Sequence, residues 1–153
     1  MAKKLSFGLP TVIMLVVFVT MPLWLPLILA KTQIDGPMTW ETGRRVSGYD
    51  LPDSARYIYF ASSVSRVLPK GEFLLRFNAP ISECRSFANH LGLSNEILVR
   101  GGNLPNYVIT RFMKQNQWFD ICSITNGVVL SCGRLKTCWI DFDHETFYYQ
   151  QTN

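Results

Sequence analysis

Between Lys4 and Lys31 the chain carries no charged side chain, and no other feature limits its fate as strongly. Leu5 through Ala30 is a run of 26 residues centred on Val12-Ile13-Met14-Leu15-Val16-Val17-Phe18-Val19. A helix rises about 1.5 Å per residue, so such a run exceeds the ~30 Å hydrocarbon core of a bilayer. Pro10 suits a first helical turn, whereas Pro22 and Pro26 are expected to bend or end the helix near the far interface. Trp24 lies at that end, where aromatic rings favour the headgroup region. A cleaved secretory signal is the competing reading. Signals carry an apolar stretch of about 7–15 residues and small residues before the cut. Here the best site, after Ala30, places Ile28 at the −3 position. Residues 1–30 are therefore read as an uncleaved signal-anchor.

The flanking charges barely bias orientation, with Lys3 and Lys4 before the run and Lys31, Arg44 and Arg45 after it. A very short tail ahead of a long body favours the tail staying inside. The expectation is a single pass through the inner (cytoplasmic) membrane with the C-terminal domain extracytoplasmic.

The remainder suits one folded domain. With 20 aromatic residues and 17% charged positions, the chain does not have the composition of a disordered protein. Its net charge of +4 overstates its basic character, because setting aside Lys3 and Lys4 leaves 13 basic against 11 acidic residues. The basic residues are dispersed apart from Arg44-Arg45. Nucleic-acid binding, which needs a clustered stripe, is not expected. Arg44-Arg45 reads as a solvated pair, or as a contact to anionic lipid near the membrane.

Residues 31–50 hold three Gly and one Pro with no periodicity, and read as a linker. The domain is placed at 51–153. Ala55 to Ala61 is an aromatic-rich strand. After a connection from Ser62 to Gly71, Glu72 to Asn78 alternates, with Phe73, Leu75 and Phe77 on one side and Leu74 and Arg76 on the other. A helix follows, opened by Pro80, favoured by Glu83 at its positive end and stopped by Gly92. Its stripe is Ile81, Cys84, Ala88 and Leu91, with Phe87 at the edge. Glu96 to Val99 suggests a helical turn. Tyr107 to Phe112 and Trp118 to Thr125 read as strands, and Asn126-Gly127 as a two-residue hairpin turn. Val128 to Cys132, Thr137 to Phe142 and Thr146 to Gln150 complete the series, with Asp143-His144-Glu145 as a turn. The expected fold is α+β: an N-terminal single transmembrane helix, then an antiparallel sheet with one helix packed on a face (β-β-α-β-β-β-β).

An Asn126-Gly127 turn pairs Thr125 with Val128 and places Phe119, Ile121, Val128, Leu130 and Cys132 on one face, with Cys122 on the other. Cys138, Ile140 and Phe142 should also point inward. Cys132 and Cys138 are thus candidates for a disulfide. A bond from Cys84 to either, or four free thiols, are the alternatives.

No cofactor or metal is expected. Cys122, Cys132, Cys138 and His144 are spaced by ten, six and six positions, which matches no closed zinc site. His90 lies at a helix end and reads as solvated or dipole-capping. His144, near Asp141, Asp143 and Glu145, invites acid–base or Ca²⁺ chemistry, but carboxylates on a tight turn are usually solvated and no EF-hand spacing appears. Gly101-Gly102 lacks the frame of a phosphate loop. The aromatics Tyr57, Tyr59, Trp118, Trp139, Tyr148 and Tyr149 carry more weight. A sheet face left without a helix would expose several of them as a binding patch, unless residues 31–50 fold over it.

The stretch Leu51-Pro52-Asp53-Ser54-Ala55-Arg56-Tyr57-Ile58-Tyr59, followed by Leu75-Arg76-Phe77-Asn78-Ala79-Pro80 and a helix with Phe87, resembles small membrane-anchored extracytoplasmic α+β domains of uncharacterised bacterial proteins. The resemblance covers residues 51–91 and implies location and fold class only. Those domains often carry a lipoprotein cysteine, which is missing here. The functional expectation is a non-catalytic membrane accessory or interaction protein, a small subunit of a larger membrane complex. Its contacts would be made by Trp118, Trp139, Tyr148 and Arg134, as aromatic and Arg anchors dominate interfaces. A periplasmic inhibitor or immunity protein is the alternative, plugging a soluble hydrolase with the 93–106 loop or the Asp143–Glu145 turn. An enzyme using His144 is the third reading. No small-molecule substrate is inferred.

Overall fold

The structure, a computed structural model, describes residues 32–33, 37–63, 71–102, 104 and 109–152. The expected anchor and its orientation lie outside the described residues, as do most of the 62–71 connection and the beginning of the strand expected from Tyr107. Among the described residues no helix is long and apolar enough to cross a membrane.

The body is α+β. In chain order it runs β1 (Thr32–Gln33), α1 (Trp40–Ser47), β2 (Arg56–Ser62), β3 (Glu72–Asn78), α2 (Ile81–His90), β4 (Asn95–Arg100), α3 (Arg111–Gln115), a 3₁₀ turn (Ile121–Ser123), β5 (Asn126–Cys132), β6 (Lys136–Asp141) and β7 (Thr146–Thr152). All ladders are antiparallel, in one sheet of order β1-β2-β3-β7-β6-β5-β4. β3 has the bounds and facing expected of its alternation. Phe73, Leu75 and Phe77 join the core beneath α2, and Leu74 joins the opposite one. α2 buries Cys84, Phe87 and Ala88, so Phe87 is central to the stripe instead of marginal. Gly92, at φ +75°, follows its C-cap where a left-handed residue ends the helix.

Several expectations need correction. Residues 40–47, read as part of the 31–50 linker, form α1. Thr39 caps it by accepting a hydrogen bond from Thr42 N, and Gly48 closes it at φ 73°. The helix lies close on β2, where a Cβ at Gly43 would meet Ile58 Cγ2 at 2.8 Å. Trp40 Nε1 donates to Pro52 O at 2.9 Å, and the Tyr49 ring stands edge-on to Phe73, Phe87 and Tyr149. This segment is therefore packed into the same core as α2.

Glu96–Val99 is not a helical turn but the middle of β4. Trp118–Thr125 is not a strand, and Arg111–Phe112 belongs to α3. Asn126-Gly127 is not a turn: Asn126 pairs with Arg100, and Gly127 sits between Val99 and Asp141. The pairing of Thr125 with Val128 does not form. Phe119 and Ile121 consequently lie on the face opposite Val128 and Leu130. The physical cause is apolar demand from the second face. Phe112, Met113, Phe119, Ile121 and Ile124 cover Val129, Trp139 and Tyr148 there, and an extended strand could not turn all of them towards one surface.

The candidate bridge between Cys132 and Cys138 is not formed, nor one from Cys84, and all four thiols are free. The two do share a face, but Cys138 pairs with Leu130 and Cys132 with Lys136. They are diagonal neighbours, typically ~7 Å apart, whereas a disulfide needs Cβ atoms within about 4.5 Å. Burial, reinforced by the charges of Glu145 and Glu83, pushes the Cys84 thiol up to about 12. Burial likewise raises Cys138. Brief alkylation of the native chain at neutral pH should therefore modify exposed Cys122 and Cys132 while sparing Cys84 and Cys138 until urea is added. Peptide mass mapping reads this directly, and native labelling of Cys138 would contradict the packing.

Candidate interaction surface

The four residues expected to make contacts do not form one surface. Trp139 is fully buried, with Phe119 edge-on above it at 6.1 Å. Tyr148 is also in the core, 5.4 Å from the same ring. Burial raises its phenol, an effect that the Arg76 charge partly opposes. Trp118 is half-buried and stacks on Tyr59 at 5.5 Å. The Arg76 guanidinium lies over both Tyr59 (5.3 Å) and Tyr148 (5.6 Å), and Nη1 donates to Trp118 O at 3.4 Å. Arg134 is exposed in the turn between β5 and β6. The second sheet face is thus an interior, closed by Leu104 and residues 112–124 and, among the described residues, not by 31–50.

The Asp143–Glu145 turn is ordered from within. The buried Asp141 carboxylate accepts from Asp143 N at 3.0 Å through Oδ1, and its Oδ2 lies 2.7 Å from His144 Nδ1. Asp143 accepts from Asn126 Nδ2 and Thr125 Oγ1, both at 3.0 Å, and these bonds hold its carboxyl below the ordinary range. Asn78 Nδ2 donates to His144 O and Thr146 Oγ1. Asp141 and Asp143 are therefore occupied in fixing local backbone and side chains. The His144 side chain remains 71% exposed. Among the described residues no group of three or more His, Cys, Asp or Glu is placed to hold a metal ion.

A groove of about 540 Å³ runs between α2 and the Tyr49–Pro52 segment, lined by Tyr49, Asp50, Glu83, His90, Leu91 and Lys136 among others. Its charges are mixed and partly engaged: Ser54 Oγ donates to Glu83 Oε2 at 2.6 Å, and Tyr49 OH donates to Gln151 Oε1 at 3.0 Å.

The less ordinary feature is β4. It ends the sheet, and among the described residues its one ladder partner is β5. Ile97 is 46% and Leu98 57% exposed, two large aliphatic side chains at successive positions of this end strand. Pairing with Val129 and Val128 sets Ile97 on the second face and Leu98 on the α2 face. Glu96, also on the α2 face, is held by Arg85 Nη1 at 3.1 Å. The other end of the sheet is covered differently, for β2 pairs with Thr32–Gln33 and bridges to Met38. Sequence reading missed this edge because Ile97-Leu98-Val99 is a plain apolar run, and whether such a run is core or surface depends on what packs over it. Compared with known proteins, the chain matches no protein-family model, no curated protein and no solved structure.

Proposed function

We propose that this protein is a non-catalytic, single-pass membrane accessory protein of the cytoplasmic membrane whose extracytoplasmic head docks on partner polypeptide through the open edge of β4. The observation that carries this reading is the exposed Ile97–Leu98 pair on a strand whose outer backbone edge is unpaired among the described residues. A strand edge offers a row of N–H and C=O groups, and flanking apolar side chains add area, which together make the ordinary platform for strand addition. The uncharged run from Leu5 to Ala30 supports the anchor. The docking surface shifts from the Trp118–Trp139–Tyr148 aromatics to β4 because two of those rings lie inside the fold.

The reading is tested on native membranes. Alkaline washing should leave the full chain in the pellet, and mild detergent should release it in a species larger than a monomer. Leu98→Lys places a charge in the middle of the edge without touching the core, and should reduce that larger species at least about tenfold. A lone monomer from wild-type membranes, or an assembly indifferent to Leu98→Lys, would end the proposal.

A further inference from the structure

We infer that the partner at this edge is a second copy of the same chain, paired antiparallel through β4 about a two-fold axis at Leu98, so that Glu96 of each copy faces Arg100 of the other. The inference rests on the docking role of β4 proposed above and names its occupant.

Edges that stay monomeric are usually blunted by a proline, a bulge, a lysine or an inward-pointing charge. β4 lacks the proline, the bulge and the lysine, and the charges it does carry, Glu96 and Arg100, are opposite in sign. Its six residues, Asn95 to Arg100, contain no Pro and no Lys, and they pair with β5 without a shift of register. Its two charged residues, Glu96 and Arg100, flank Leu98 symmetrically on the α2 face, as their pairing with Leu130 and Asn126 requires. Among the described residues Glu96 is drawn to Arg85, and Arg100 has no carboxylate partner.

Geometry then restricts the register. A two-fold axis normal to the sheet reverses strand direction but keeps each face on its own side, so residues directly opposite must share a face. Along a strand the faces alternate, which allows only registers pairing odd with odd and even with even. With the axis at Leu98, Leu98 meets its own copy, Glu96 meets Arg100 twice, and Ile97 meets Val99 twice on the other face. With the axis one residue earlier, Glu96 faces Leu98 and Arg100 faces Ser94. With the axis one residue later, Leu98 faces Arg100 and Glu96 faces Gly102. Both alternatives set each charge against an uncharged residue and lose both opposite-charge pairs. The order acid, aliphatic, base along one face therefore selects the Leu98-centred register.

A six-residue edge is small beside the interfaces of permanent dimers, so the pairing is weak in dilute solution and strengthened where both heads share one bilayer. The two joined sheets form one continuous antiparallel sheet, which removes both open edges.

The test uses the full chain in a density-matched detergent, followed by sedimentation velocity over a range of concentrations. Wild type should pass from monomer to dimer. Arg100→Glu gives copies with two acids on the edge face, and Glu96→Arg gives copies with two bases. Each alone should weaken dimerisation by about tenfold or more, because two attractive pairs become repulsive. An equal mixture of the two variants should recover dimers, since every acid then meets a base. Arg100→Gln, which removes attraction without adding repulsion, should fall between. Far-UV circular dichroism confirms that each variant is folded. Self-pairing is overturned if wild type stays monomeric into the sub-millimolar range, if Arg100→Glu dimerises like wild type, or if the mixture fails to recover. A monomeric wild type whose membrane assembly is still lost with Leu98→Lys would mean that a different protein supplies the strand. That result sinks the self-pairing but leaves edge docking intact.

Discussion

Trp139→Ala lowers the stability of the head by about 3–5 kcal/mol, the range for emptying a fully buried large aromatic position. Trp139 is fully buried in one cluster with Phe112, Met113, Phe119, Ile121, Ile124, Val129 and Tyr148. Its loss leaves a cavity that the covering residues can fill only if Phe119, whose ring stands edge-on 6.1 Å away, leaves its present seat. A domain of this size has only about 5–15 kcal/mol in total, so the variant sits near its unfolding threshold. Urea titration of the full chain followed by circular dichroism measures the change. The same experiment separates two roles for this residue. A surface anchor replaced by alanine would leave the midpoint within about 0.5 kcal/mol of wild type.

Gly127→Ala is expected to destabilise by about 3 kcal/mol, a large effect for one methyl group. A Cβ at Gly127 would overlap the backbone carbonyl oxygen of Ile140 on the neighbouring strand and approach Ile124 Cγ2 at 3.1 Å. The carbonyl belongs to the ladder between β5 and β6, so it cannot swing aside as a side-chain end would. Relief requires the central strands to part. Gly133, in the turn between β5 and β6, provides the contrast. It has φ +64° and open space around it, so alanine there meets only the left-handed strain of roughly 1–2 kcal/mol. Equal costs at the two positions would show that Gly127 is a turn residue after all.

The misreading of Asn126-Gly127 shows where local inference stops. The dipeptide is a strong hairpin signal because both residues tolerate positive φ. In the fold, the glycine is needed for lack of volume and not for its φ. No local pattern distinguishes these needs, since the clashing carbonyl belongs to Ile140, thirteen positions away. α1 was legible in principle. Thr39, Glu41, the Arg44-Arg45 pair and Gly48 are cap, acidic start, basic end and stop in order, but Gly43 inside an eight-residue helix concealed it. The candidate site was legible only as composition: Glu96, Leu98 and Arg100 are visible in the sequence, but their shared exposed face follows from pairing with β5.

From the sequence alone follow the strands at 72–78, 128–132, 137–142 and 146–150, the helix after Pro80, the turn at 143–145 and the α+β class, because each has a period or cap contained within its own few residues. Tertiary structure decided the strand order, the burial of Trp139 and Tyr148 beneath residues 112–124, and the exposure of Ile97 and Leu98. These depend on which distant segments meet. A residue's hydrophobicity states that it prefers to leave water, whereas the surface that receives it, or fails to, is supplied by the rest of the chain.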